Sequence, residues 1–135
     1  MRKEKSCGAV VYKREGTELV YLMEHMRQGH TSIPKGHVEN HETEAQTALR
    51  EIKEETNLEV RLDTAFREVI SYSPFPGCVK DVVFFVAEAA SEKLINQECE
   101  VRALEWMPFD QACQTLTHAS DREVLKKANA YLTRK

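Results

Sequence analysis

Residues 36–58 read GHVENHETEAQTALREIKEETNL. The second half of this run carries the signals of a helix. Thr43 followed by Gln46 fits a capping box, in which each side chain satisfies a free backbone N–H at the helix start. Ala45, Ala48, Leu49 and Ile52 recur at the spacing of one helical face. At the helical rotation per residue they fall within an arc roughly 100° wide. Asn57 stands where the helix would stop, because asparagine adopts the left-handed conformation of a C-cap more readily than most residues.

The other side of the helix is crowded with carboxylates. Glu51, Glu54 and Glu55 lie three and four residues apart or adjacent. Like charges at that spacing destabilise an isolated helix by roughly 0.2–0.5 kcal/mol per pair. They also sit at the C-terminal end, where the helix dipole disfavours anions. Two readings account for this. Arg50 and Lys53 neutralise a solvated charged face, or the carboxylates gather around a hard divalent ion such as Mg²⁺ or Mn²⁺. Spacing alone favours the solvated face, because charged helix faces are common.

The resemblance of the run to a known motif reverses that preference. It reads G-x5-E-x7-R-E-I-x-E-E-x-N-L and resembles the Nudix box, G-x5-E-x7-R-E-U-x-E-E-x-G-U, where U is aliphatic. Gly36, Glu42, Arg50, Glu51, Ile52, Glu54, Glu55 and Leu58 match. The one departure is Asn57 for the second glycine, and both residues tolerate a positive φ. The resemblance implies a Nudix-type α/β/α sandwich with a mixed β-sheet and a catalytic loop-helix-loop.

Composition agrees with a globular fold. The chain has 135 residues, 41% hydrophobic and 30% charged, with a formal net charge of −3. That length reads as a single domain, 1–135, large enough to bury a core. The negative charge makes a nonspecific nucleic-acid partner an unfavourable reading. Cys7, Cys78, Cys99 and Cys113 are scattered without a C-x-x-C pair, which suits a reducing, cytoplasmic setting rather than a zinc site or disulfide framework. The pattern shows neither a membrane span nor a signal-peptide core. A monomer and a homodimer both stay open.

Along the chain, residues 6–13 read as a buried strand, 14–17 as a turn on Gly16, and 19–23 as a second strand, together a hairpin. Residues 25–32 read as a loop. Residues 60–73 are strand-like, and 72–78 form a loop with two prolines and a glycine. Residues 79–87 are the strongest strand, apolar on both faces. Residues 101–107 make a further strand ended by Pro108. Asp110 is expected to cap a short helix, and Ser120 with Glu123 a capping box opening a last one with Val124, Leu125, Ala128 and Leu132 on one side. This order, β, β, α, β, β, β, α, α, fits helices packed on a mixed sheet.

The box chemistry is hydrolysis of a phosphoanhydride by water, with Mg²⁺ or Mn²⁺ countering the phosphate charge. Glu51 and Glu55 are the expected metal ligands, with Glu54 a ligand or the base that positions water. The resemblance adds the Gly36 carbonyl as a ligand. Glu42 is expected to reach metal through water. Arg50 is expected to orient a glutamate by a bidentate pair. The resemblance also implies a further carboxylate from elsewhere, ahead of a tryptophan, for metal binding or base catalysis. Glu100, six residues before Trp106, is the candidate, with Glu98 nearly as good.

For the substrate, residues 33–39, IPKGHVE, resemble the run that precedes the box in the asymmetrical diadenosine tetraphosphate hydrolases of the same family. The resemblance implies a small-molecule nucleotide substrate, cleaved to ATP and AMP. It implies that His30, Lys35 and Lys80 hold phosphate oxygens and that Tyr72 and Phe84 flank adenine. Phe84, in a continuous apolar run, has a core reading that competes. Alternatives are nucleoside triphosphates, RNA 5′ ends or diphosphoinositol phosphates as substrates, and a non-catalytic Nudix-like nucleotide-binding module. Retention of every box carboxylate counts against the last.

Overall fold

A computed structural model of the chain describes residues 2–134. Its elements are β1 (Arg2–Glu15), β2 (Glu18–Met26), β3 (Thr31–Ser32), β4 (Lys35–His37), α1 (Glu44–Thr56), β5 (Val60–Tyr72), β6 (Cys78–Ala89), β7 (Val101–Pro108), α2 (Phe109–Thr115) and α3 (Ala119–Thr133). The strands form one mixed sheet in the order β3-β2-β1-β6-β5, with β4 also paired to β1 and β7 to β2. β1 and β6 run parallel, in register from Arg2 opposite Cys78 to Tyr12 opposite Glu88. The other pairings are antiparallel.

Period-2 alternation divides the apolar side chains between the sheet's two faces. Cys7, Ala9 and Val11 of β1 and Val83, Phe85 and Ala87 of β6 face one core, closed by Ala48 and Ile52 of α1. Val10 of β1 and Val82, Phe84 and Val86 of β6 face the other, closed by Ala112 of α2 and Val124, Leu125 and Ala128 of α3. The result is the expected α/β/α sandwich, with the central strand β6 buried on both faces. No helix among the described residues is long and apolar enough to cross a membrane.

Helix α1 starts and stops as expected. Gln46 N–H donates to Thr43 Oγ1 at 3.1 Å and Thr43 N–H to Gln46 Oε1 at 2.9 Å. Asn57 is left-handed at φ 69°. Its buried face is rotated from the expected arc: Thr47, Ala48, Ile52, Glu55 and Thr56 are inside, while Leu49 is 41% exposed. The sheet, rather than the apolar pattern, sets this rotation.

Several boundaries differ for tertiary reasons. β2 runs on to Met26, and the loop beyond it contains β3 and β4, which exist because β2 and β1 offer pairing edges. Tyr72 and Cys78 end strands rather than belonging to the loop between them. Neither Asp110 nor Ser120 caps a helix; Pro108 and His118 hold the N-cap positions without side-chain bonds. Ahead of α3, Thr117 exchanges two hydrogen bonds with Thr31, Thr31 N–H to Thr117 Oγ1 at 2.8 Å and Thr117 N–H to Thr31 O at 3.2 Å. That contact fixes the start of α3 and leaves Ser120 inside its first turn.

Glu44, in the first turn of α1, ties the helix to the sheet. Arg67 of β5 donates to both its oxygens, each at 2.8 Å, and Lys5 of β1 adds a third contact. These partners hold the Glu44 carboxyl at about 2. A depressed folded-state pKa gives stability present above the carboxyl's ordinary value of 4.5 and lost as pH falls towards about 2. Glu44→Gln is expected to lower stability at pH 7 by up to about 1 kcal/mol and to flatten the acid limb of unfolding. Chemical denaturation at pH 7 and pH 3 measures this; an unchanged pH dependence contradicts it.

Candidate active site

The site begins with where α1 lies. With Ala48 and Ile52 against the sheet, Glu55 is carried inward to 5% exposure, while the Glu54 side chain stays 53% exposed. On β2, Glu24 shares strand parity with Leu22, which belongs to the core under α1. It therefore also lies beneath the helix, 1% exposed. Glu24 and Glu55 neighbour each other, and burial pushes both carboxyls above their ordinary range. One oxygen of each, Glu24 Oε2 and Glu55 Oε1, is buried without a hydrogen-bond partner. Burial also raises Glu51, with Arg50 working against it.

Gly36 is part of the same construction. A Cβ built there would lie 2.0 Å from Glu51 Cδ and within 2.3 Å of both its carboxylate oxygens. The absent side chain lets the Glu51 carboxylate lie directly on β4.

Arg50 organises the outer edge. Its Nε donates to Glu42 Oε2 at 2.7 Å and its Nη2 to Glu42 Oε1 at 3.0 Å. The expected bidentate pair thus exists, and its partner is Glu42. Nη1 donates to Glu51 and Glu54, each at 3.0 Å, and Nη2 to the His37 carbonyl at 2.8 Å. Glu42 also accepts from Glu39 N–H and Thr47 Oγ1, both at 3.0 Å. Arg50 above all holds its carboxyl at about 2. With both oxygens so engaged, Glu42 is a brace for the loop between β4 and α1.

The donor set fits a hard cation. Buried carboxyl oxygens lacking partners are unfavourable, and carboxylate oxygens are what Mg²⁺ and Mn²⁺ select. Among the described residues no three His, Cys, Asp or Glu side chains are drawn into a finished coordination shell. Arg50 engages Glu51 and Glu54, and Glu24 and Glu55 sit against each other. The orphaned oxygens mark where the protein leaves buried polar atoms unsatisfied, at carboxyls that a bound cation would draw into their ionised form. Glu24 was missed from sequence. The signal was its parity with Leu22 on a strand that runs one turn of the pleat further than expected.

Two cavities meet at this edge. One, of about 380 Å³, is lined by Glu55, Glu100, Lys80, Lys35 and His30 among others. Glu100 lies in the turn before β7, exposed, and its carbonyl accepts from Arg27 N–H at 2.9 Å. Glu98, which does not line the cavity, binds the Arg27 guanidinium through its carbonyl. Burial, then Lys35, lowers the pKa of both His30 and Lys80. The second cavity, of about 330 Å³, is lined by His30, Lys35, Ile70, Tyr72, His118 and Asp121 among others. Lys35 and His30 border both. Phe84 borders neither: it is fully buried against the α2 and α3 core. The expectation that it flanks adenine is corrected, because its strand position points it inward. A larger open hollow of about 870 Å³, near Arg14, Phe109 and Asn129, contains none of the box carboxylates.

A mixed sheet sandwiched by helices, with a capped acidic helix laid over buried carboxyls, frames the site. A NUDIX domain model matches residues 2–128, and the chain belongs to the Nudix family as a Nudix hydrolase. It is 28% identical over 140 residues to the bis(5′-nucleosyl)-tetraphosphatase [asymmetrical] of Sus scrofa, covering 95% of each chain. It is 33% identical to an 8-oxo-(d)GTP phosphatase of Mycolicibacterium smegmatis, covering 91% of this chain and 40% of that protein. Its fold resembles a crystal structure of a C. elegans Ap4A hydrolase binary complex, with TM-score 0.87 and 26% identity over 96% of this chain and 97% of that one.

Gly36→Ala is expected to displace the Glu51 carboxylate. Turnover should fall about 100-fold, with the fold retained by circular dichroism. A variant with the wild-type kcat contradicts the packing argument.

Proposed function

We propose that this chain is a divalent-metal-dependent hydrolase of diadenosine tetraphosphate, releasing ATP and AMP. The observation that carries this reading is the junction of the two cavities at Lys35 and His30. A carboxylate-lined space and an aromatic-edged one share a cationic border, as a nucleotide with a long phosphate chain requires. Likeness to the asymmetrical tetraphosphatases over 95% of the chain supports the same choice.

In this reading Glu51, Glu55 and the Gly36 carbonyl would hold Mg²⁺ or Mn²⁺, with Glu24 beside Glu55 and with Glu54 and Glu100 at the solvent edge. When bound, the ion supplies neutralisation of the phosphate charge and acidification of water. Lys35 and Lys80 bind the phosphate oxygens, and His30 donates a hydrogen bond to one. Glu54, exposed and steadied by Arg50, orients the attacking water. Arg50 is a positioning residue, since every donor contact of its guanidinium goes to the protein. Tyr72, at the rim of the second cavity, stacks on a base. One Nudix domain across residues 1–135, working on a small molecule in the cytoplasm, is part of the proposal. The free cysteines support that compartment.

A second reading, hydrolysis of nucleoside triphosphates, is favoured by the likeness to the 8-oxo-(d)GTP phosphatase. Chromatography of products from diadenosine tetraphosphate and from single nucleoside triphosphates, each with Mg²⁺, separates the two. Equal ATP and AMP from the dinucleotide, with triphosphates nearly untouched, is the expected result; the reverse preference overturns it.

Glu55→Gln is expected to lower kcat by at least about 100-fold. It should also abolish the rise in Tm that Mg²⁺ gives the wild type through binding the native state. Retained turnover or a retained Mg²⁺-dependent Tm shift would remove Glu55 from the metal site.

A further inference from the structure

Asp121 is unused by the chemistry above, yet it is built into the second cavity. It lies in the first turn of α3 and is only 4% exposed, and its side chain lines the space between Tyr72, Ile70 and His118. Among the described residues its carboxylate makes no hydrogen bond or ion pair. Its oxygens open on the cavity, where they accept from water or from a ligand that displaces it. The tie between Thr117 and Thr31 holds it there, because that contact sets where α3 begins.

The cavity's chemistry narrows the ligand. A carboxylate repels phosphate, so the phosphate chain belongs on the Lys35 and His30 border and not against α3. The remaining walls are Tyr72, 44% exposed, the Ile70 side chain, Ser32, Ser120 and the His118 ring, whose centroid lies 5.9 Å from that of His30. Flat, partly apolar walls with one anionic acceptor suit a nucleobase that presents an N–H donor.

We propose that Asp121 is a specificity-determining residue that accepts a hydrogen bond from the exocyclic amino group of adenine in this cavity. The assignment rests on the reading of the substrate as an adenine dinucleotide. The acceptor-only carboxylate favours adenine, whose 6-position carries an amino donor. It disfavours hypoxanthine, whose 6-position carries an oxygen acceptor instead. A carboxylate placed against the 6-position rejects a base with an acceptor there, because the two oxygens would then face each other unpaired, even though hypoxanthine keeps an N1–H donor beside it.

The test compares adenine with hypoxanthine in the wild type and in Asp121→Asn. The substitution is near-isosteric and adds a donor to the acceptor. AMP and IMP are titrated by NMR, which needs neither metal nor turnover and reads weak affinities. Competition between diadenosine and di-inosine tetraphosphate, with Mg²⁺, gives the ratio of kcat/KM. The wild type is expected to prefer adenine by about 10- to 100-fold, the range of a charge-assisted hydrogen bond. Asp121→Asn should bring the ratio close to one while leaving Mg²⁺-dependent stabilisation unchanged. A merely structural role would weaken both ligands together and keep their ratio. Equal AMP and IMP affinity in the wild type, absence of AMP shifts at the cavity, or an unchanged ratio in the variant overturns the proposal. AMP preference without dinucleotide turnover would instead remove the dinucleotide reading and leave the role of Asp121 standing.

Discussion

The burial of carboxyl groups beneath α1 is the constraint on which the rest of the structure depends. Removing a carboxylate from water is strongly unfavourable, and a protein normally answers with a cation or a hydrogen-bond donor. Here Glu24 and Glu55 are brought together with an unpartnered oxygen on each. The sandwich tolerates this because the apolar contacts around it are extensive. Ala48, Ile52 and Leu58 pack against Cys7, Ala9, Val11, Leu22, Val83 and Phe85 in one continuous core. The cost of these unsatisfied buried oxygens is thus carried by the elements that hold them in place.

Arg50 and Gly36 solve the neighbouring problem of keeping Glu51 and Glu54 available without collapse. A guanidinium has donors enough to serve Glu42, Glu51, Glu54 and a main-chain carbonyl at once. Lysine could not span that set. Gly36 acts by omission, since any side chain would occupy the space of the Glu51 carboxylate. The capping box at Thr43 and the left-handed Asn57 fix both ends of α1, so the carboxylates keep their positions relative to the sheet. The site is therefore held by helix geometry rather than by loop contacts.

The division of labour between the two cavities follows from charge. Lys35 and His30 stand between a carboxylate-lined space and one closed by aromatic, apolar and acidic groups. In the proposed reading, anionic phosphate is drawn to the Lys35 border and kept from the Asp121 wall. A base, uncharged and flat, has the opposite preference. The β3–β2 and β4–β1 pairings position Lys35 and the His30 loop at that border, so short strands that contribute little to the core decide how the two spaces are joined.

Local patterns determined much of this protein. The cap residues of α1, the hairpin, the doubly buried β6 and the box carboxylates all depend on neighbours a few residues apart, where periodicity and side-chain chemistry act directly. Phe84 shows the limit of resemblance: a continuous apolar run marked it as core, and it is core. Tertiary structure decided the rest. The sheet set the rotation of α1 that buries Glu55 and exposes Leu49. Pairing edges created β3 and β4. The contact between Thr31 and Thr117 moved the start of α3 and turned Asp121 into a cavity wall. Glu24 and Glu55, 31 positions apart in the chain, meet only because a strand face and a helix face close on each other. Sequence spacing carries no record of such a meeting, since it arises from long-range packing rather than from local periodicity.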